Sequence, residues 1–303
     1  MKAEGVITAE QSISPTSWCY EEAFSRNVGL ISPEEQQQLR KARVAIVGMG
    51  GVGGVHAVTF ARLGVGAFTI ADPDTFAVAN TNRQYGATVK AMGRSKVEVM
   101  AEVLRDINPE IDVRIMREPL GADNVQQFFQ DANLFVDGID FFELDTRRLL
   151  FRVAAQQGLY SITAGPLGFS TAWIVFAPQG MSFDRYFDFC DAMEPVDKLA
   201  AFLVGLAPKA THRTYMLMNL VNIAARKGPS SGLACQLAAS VTACEAVKIL
   251  LGRGPVRVAP CYQQFDAYLG RFVQGRLIGG NRNPVQRLKR WVARRWLRNL
   301  MRG

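Results

Sequence analysis

Three glycines, Gly48, Gly50 and Gly53, stand at G-x-G-x-x-G spacing behind the apolar run Arg43–Val47, with Gly51 and Gly54 beside them. A strand that turns into a helix through such a loop presents backbone N–H groups and a helix N-terminus to a phosphate. Only glycine lets the chain turn so tightly and approach so closely. Asp72 ends the next apolar run, 24 residues after Gly48, where a carboxylate can reach a ribose hydroxyl. Up to this point a nicotinamide or flavin dinucleotide and ATP fit equally well. The stretch "DPDTFAVANTNRQYGATVKAMGRSK" separates them, because it adds Asn80, Arg83, Gln84 and Lys96 in quick succession. A dinucleotide pyrophosphate rests on the helix end and has little need of two further cations. A triphosphate attacked at its α-phosphorus gathers charge on phosphoryl oxygens, and a fixed guanidinium and ammonium stabilise it. The "VDGID" run then supplies Asp137 and Asp140 at the C-terminal end of a strand, where open α/β sheets put their sites. A carboxylate there can hold Mg²⁺ against phosphate oxygens. Asp74 and Asp137 fit turn and capping roles better than ligand roles.

These residues need a scaffold, and the pattern around them supplies one. Strands are expected at Arg43–Val47, 67–72, 111–116, 133–138 and 160–163. Helices are expected at 52–63, 95–107, 124–131 and 143–157, with a capped helix ahead of them over 32–42, where Ser32, Pro33 and Glu35 form the N-terminal signal. Such alternation is the mark of right-handed βαβ units around a buried, largely parallel sheet. From Thr171 it stops. "TAWIVFAP" reads as a strand, 181–209 as irregular, 212–226 and 233–251 as helices, and 256–265 and 270–277 as two further strands. The fold class is therefore α/β: a Rossmann-like, largely parallel sheet with helices on both faces, C-terminal strands and a basic tail helix. Three segments follow: a lead-in over 1–30, one domain over 31–283, and a tail over 284–303.

Composition excludes several classes. A core is expected from 303 residues that are 49% hydrophobic. The start of the chain has no apolar signal-peptide stretch, and the longest apolar run, 232–251, is interrupted by Glu245 and Lys248. A cytoplasmic setting is expected. Cys19, Cys190, Cys235, Cys244 and Cys261 are scattered and never spaced C-x-x-C, so neither a disulfide framework nor a structural zinc is expected. With only His56 and His212 in the chain, both read as structural.

Taken in order, these motifs resemble the ubiquitin-activating-enzyme-like superfamily, the ThiF/MoeB/HesA adenylyltransferases. The resemblance runs from about Glu22 to Leu277. It rests on the arginine of "FSRN", G-x-G-G-x-G, D-x-D, N-x-x-R-Q, a lysine thirteen residues after that arginine, and D-x-x-D. It implies that Asp72 binds the ATP ribose, that Asn80, Arg83 and Gln84 surround the phosphates with Lys96, and that Asp140 is linked to Mg²⁺. It also implies a homodimer in which Arg26 reaches the partner's site. The expected activity is attack by a substrate carboxylate on ATP, giving an acyl-adenylate and pyrophosphate. The expected partner is a ubiquitin-like or sulfur-carrier protein, or a peptide. The alternative is a tRNA threonylcarbamoyladenosine dehydratase-like enzyme, suggested by "NTNRQ" and "KVEVMAEVLRDINPE" and opposed by a nearly neutral body. The two C-x-x-C pairs that many members carry are absent, and so is the cysteine that thiol-transferring members carry before the last long helix. Cys235 falls inside the expected helix and Cys190 lies among acids, so adenylation without covalent transfer is expected.

The tail stands outside the resemblance. From Pro284 onward there are seven Lys/Arg and no acid, which accounts for most of the +8 net charge. On a helix at ~100° per residue, Val285, Leu288, Val292, Trp296 and Leu300 share one face. Arg287, Arg290, Arg294, Arg298 and Arg302 share the opposite one. Packing on the body, contact with an anionic membrane surface, and docking on an acidic carrier or RNA are the three readings.

Overall fold

The computed structural model describes residues 18–221 and 228–302. Its elements are α1 (Tyr20–Ala23), α2 (Pro33–Lys41), β1 (Arg43–Val47), α3 (Gly53–Arg62), β2 (Ala67–Ala71), α4 (Lys96–Ile107), β3 (Asp112–Met116), α5 (Val125–Phe128), β4 (Leu134–Asp137) and α6 (Leu144–Gln156). They continue with β5 (Tyr160–Leu167), β6 (Ser170–Phe176), α7 (Phe183–Phe187), α8 (Pro195–Leu206), α9 (Gly232–Leu250), β7 (Cys261–Asp266), β8 (Arg271–Arg276) and α10 (Pro284–Arg302). One eight-stranded sheet has the order β3-β2-β1-β4-β5-β6-β7-β8. It is parallel from β3 through β5 and antiparallel from β5 to β8. The order reverses between β1 and β4, so a crevice opens at the C-terminal ends of those two strands, beside the glycine loop.

Both faces of the sheet are covered over β1, β2, β4 and β6, as their uninterrupted apolar runs require, while the edge strand β8 is mostly exposed. One layer is α3, α4 and α9, with Phe60, Phe68, Met100, Leu104 and Ala246 in its core. The other is α5 to α8 with the inner side of α10, built on Phe135, Phe151, Phe183, Phe187 and Phe202. The α9 helix is apolar and long enough to span a membrane, yet it packs across β5 and β6 and against α3. The capping box at α2 forms as expected: Ser32 Oγ accepts from Glu35 N at 3.2 Å and Glu35 Oε2 accepts from Ser32 N at 2.8 Å.

Four sequence expectations need correction. The 181–209 stretch is not irregular, since it holds α7, capped by Ser182, and α8, with Pro195 in its first turn. α8 lies between the sheet and α10, so its buried positions run nearly all round it and its apolar period is blurred. The expected helix at 124–131 is a single turn, and Asp131 then takes a left-handed φ of 60°. The expected helix at 212–226 is two short 3₁₀ turns, Thr211–Thr214 and Met218–Leu220; 222–226 fall outside the described residues. Tertiary bonds prevail there: Thr211 Oγ1 donates to Asp266 Oδ2 at 2.7 Å, and the Tyr215 hydroxyl accepts from Phe169 N at 3.0 Å. The tail helix forms and packs on the body, the first of its three readings, but not through the apolar face read from the sequence. Gln286, Ala293 and Leu297 turn inward, and Val285, Leu288 and Val292 turn outward. Arg290 and Arg294, read on the face opposite the apolar stripe, are drawn to the body by Asp188 and Asp197 at 2.6 Å each. Residues 1–17 of the lead-in and the Leu300 side chain lie outside the described set.

Candidate active site

The glycine loop closes onto the strand ends with no spare room. Gly48 takes a φ of 81° and donates to Ala71 O at 2.6 Å. A Cβ at Gly53 would overlap the Gly48 carbonyl, and one at Gly48 would overlap the Gly138 carbonyl. The loop after β1 and the loop after β4 are thus interlocked through backbone. Beyond them, Gly50 faces the Gln84 amide and Gly51 faces the Arg83 stem and Cys235 Sγ.

Asp72 lies buried at the end of β2. Its two oxygens accept from Met49 N at 2.6 Å and Asp74 N at 2.9 Å, which ties it to the glycine loop. Burial raises its pKa above the usual carboxylate value, against the opposing pull of Lys96 and the two N–H donors. Lys96 opens α4, is itself buried, and sits 4.0 Å from Asp72 and 2.8 Å from Asp74. Asp74 is therefore more than a turn residue: it holds the lysine in place.

Arg83 lays its stem along Gly51, and its Nη1 donates to Ala79 O and Asn82 Oδ1 at 2.9 Å each. Asn80 folds back and accepts from Ala77 N at 2.9 Å, shaping the turn that presents Arg83 and Gln84. Gln84 is buried, and its Oε1 has no partner among the described residues, which leaves an acceptor open beside the glycine loop. Asn82 Nδ2 reaches across to Ser230 O at 2.9 Å, joining this segment to the N-terminus of α9. Cys235 packs there at 0% exposure, and burial pushes its thiol upward, as suits a packed core residue.

The two aspartates after β4 part company. Asp137 is sealed inside, accepting from Arg147 Nε, Thr163 Oγ1 and Ile139 N at 2.8, 2.8 and 3.1 Å. Asp140 is exposed and uses one oxygen to cap Phe142 N at 2.9 Å. Its other oxygen has no protein partner among the described residues, so it suits a Mg²⁺ that takes one carboxylate and phosphate oxygens. No cluster of three or more metal-ligating side chains occurs among the described residues. Arg147 was not singled out in the sequence, because its contact joins a strand end to a helix. It spans this turn by also donating to Ile139 O at 2.6 Å.

Arg26 is not brought to this cluster. Its neighbour Asn27 bonds to Leu63 O at 3.3 Å, beyond the C-terminal end of α3, while the glycine loop caps the other end. The ten residues of α3 set those ends ~15 Å apart. Arg26 is exposed and makes no ion pair among the described residues.

The geometry has counterparts among known proteins. The chain is 38% identical over 122 residues to the tRNA threonylcarbamoyladenosine dehydratase of Escherichia coli, covering 40% of this chain and 46% of that protein. It is 32% identical over 143 residues to the ThiS adenylyltransferase of Bacillus subtilis, covering 46% and 42%. The chain thus spans about half the length of the curated relatives it matches. Among solved structures, PaaA superposes with a TM-score of 0.64 at 16% identity, covering 88% of this chain and 77% of that one. Escherichia coli MccB with ATP superposes at 0.62 and 18%, covering 85% and 71%. The Escherichia coli dehydratase with ATP superposes at 0.56 and 23%, covering 77% and 95%. These likenesses establish the fold. The ThiF family model matches residues 24–287, and the chain belongs to the ThiF family.

Proposed function

We propose that the chain is an ATP-dependent adenylyltransferase that activates a carboxylate at the C-terminus of a protein or peptide. The observation that carries this is the convergence of two cations on one nucleotide loop. Lys96 is anchored to it through Asp72 and Asp74, and Arg83 lies along Gly51. A dinucleotide does not call for both; a triphosphate does. In this reading Asp72 accepts from the ribose hydroxyls with its remaining lone pairs. Asn80 and Gln84 shape and line the phosphate side, and the loop N–H groups with the α3 N-terminus take the phosphates. The substrate carboxylate oxygen bonds to the α-phosphorus, the bond to the β-phosphate oxygen breaks, and pyrophosphate leaves with that electron pair. Arg83 and Lys96 stabilise the charge on the phosphoryl oxygens. Asp140 is the residue that would hold Mg²⁺, which when bound neutralises phosphate charge. No side chain of the protein becomes covalently attached, in keeping with the packed Cys235.

A protein or peptide tail is supported by a groove of about 540 Å³ beside the first turn of α9, lined by Phe169, Leu233, Leu237 and Tyr268. Its apolar walls suit an extended chain better than a nucleic acid backbone. A second reading, the carboxylate of a modified tRNA nucleoside, is favoured by the relatives that bear that name. The working form in our reading is a homodimer in the cytoplasm, each Arg26 serving the partner's phosphates, because within one chain it stands a helix length away. ATP–pyrophosphate exchange on the purified chain tests these readings. Exchange that depends on a purified Gly-Gly-ended carrier protein supports the first, and exchange that depends on bulk tRNA selects the second. Calorimetry with tight NAD binding and none for ATP would overturn both.

A further inference from the structure

We propose that the outward face of α10 is a docking surface for an anionic lipid bilayer. The inward face is accounted for by the body. Gln286 Nε2 donates to Val204 O and Asn281 Oδ1 at 3.2 Å each, Lys289 Nζ donates to Pro208 O at 2.8 Å, and Ala293 and Leu297 are buried. Arg290 and Arg294 are neutralised by Asp188 and Asp197. What remains outside is of two kinds. Val285, Leu288, Trp291 and Val292 are 60%, 62%, 59% and 49% exposed. Arg287, Arg295 and Arg298 are exposed too and form no ion pair among the described residues.

At ~100° per residue, Val285, Leu288 and Val292 fall within about 60° of one another. Arg295 projects between Leu288 and Trp291, and Arg287 and Arg298 border Trp291 on its far side. An aliphatic strip with a tryptophan, bordered by unpaired guanidinium groups and carried on a helix without a single acid, matches a lipid interface. The strip enters the acyl boundary, the tryptophan sits at headgroup level, and the arginines meet anionic phosphates. RNA would use the cations and leave the aliphatic strip wet. A two-fold contact between copies of this face would bring its own arginines together. The globular body fixes the helix with this face outward, so no refolding is needed on contact.

The full chain should co-sediment with phosphatidylcholine vesicles containing phosphatidylglycerol at low salt and ignore pure phosphatidylcholine. Val285→Ser/Leu288→Ser/Val292→Ser keeps every charge and should abolish sedimentation. Arg295→Gln/Arg298→Gln should weaken it about fivefold per arginine. All five positions are exposed, so thermal melting should match the parent; Trp291→Ser serves as a second apolar variant. The proposal is overturned if anionic vesicles are ignored at low salt. It is equally overturned if the serine variants bind as well as the parent, if the triple substitution changes the oligomeric mass, or if bulk RNA binds this face in place of vesicles.

Discussion

Replacing Arg147 with methionine should destabilise the protein by about 3–5 kcal/mol, the range for leaving one partner of a buried ion pair uncompensated. The two side chains are 4% and 1% exposed, so little water reaches Asp137 once the guanidinium is gone. The substitution deletes the bonds to Asp137 and Ile139 O and the stacking of the guanidinium 4.6 Å above the Phe202 ring. Two donors remain on Asp137, from Thr163 and Ile139 N. Arg147 also carries a buried Nη1 without a partner, whose removal returns part of the loss. The lower end of the range follows, near 3 kcal/mol. At ~2.1 cal/mol/K of unfolding entropy per residue, 3–5 kcal/mol lowers Tm by about 5–8 °C for a chain of this size. Thermal melts of Arg147→Met, Asp137→Asn and the double variant supply the cycle. The double variant should be markedly more stable than the sum of the single effects implies, because no unpaired charge is left inside. Pyrophosphate exchange should fall as well, since the Ile139 carbonyl that steadies the Asp140 turn loses its donor. A single-variant loss under about 1 kcal/mol, or strict additivity, would refute the reasoning.

Gly53→Ala should abolish nucleotide binding by calorimetry, because its methyl would overlap the Gly48 carbonyl and force the phosphate loop apart; Gly93→Ala, at an open site whose φ is 79°, should leave binding unchanged at a small stability loss. Arg83→Ala and Asp140→Ala should each lower pyrophosphate exchange roughly 10²–10³-fold with unchanged circular dichroism. Mixed Arg26→Ala and Asp140→Ala chains should regain part of the activity that neither has alone, and no regain would refute the action of Arg26 across the dimer. Burial holds the His56 imidazole at about 3, against 6.5 when unfolded, and neither ring nitrogen has a hydrogen-bond partner among the described residues. The unfolded chain therefore takes up a proton that the folded chain refuses. This contribution to stability is complete above about pH 6.5 and is lost as pH falls toward 3. Urea midpoints should fall through that window, and His56→Met should flatten the fall; a slope unchanged by the substitution would exclude His56 as its source.

The parallel half of the sheet was legible in the sequence because each of its parts obeys a local rule. β1, β2 and β4 are short apolar runs, α4 has a clear apolar stripe, and the glycine loop can sit only between a strand and a helix. Asp72, Arg83, Gln84 and Lys96 could be named for the same reason: each lies at a fixed distance from that loop. Legibility failed where a partner distant in sequence decides the outcome. α8 shows no clean period because the sheet and α10 cover it from two sides. The Thr211–Thr214 turn is set by Asp266, and Arg147 acquires its task only when α6 packs beneath β4. The side of α10 that faces inward is not legible in the sequence, because Asp188 and Asp197 lie about a hundred residues away in the chain.

The covering of β5 and β6 by α9 has a consequence for the order of events on the ribosome. The parallel strands are all made once Leu167 has been added, but α9 ends about 80 residues later. At roughly 5–20 residues per second, the interval is about 4–16 s. During it the sheet presents Ile162 and Val175 without their lid, and the phosphate loop lacks the Cys235 that backs Gly51. The nascent chain therefore passes through a stage at which its nucleotide loop has been translated but is not yet buttressed. Yield on expression should therefore rise with the supply of holding chaperones, which bind bare apolar sheet.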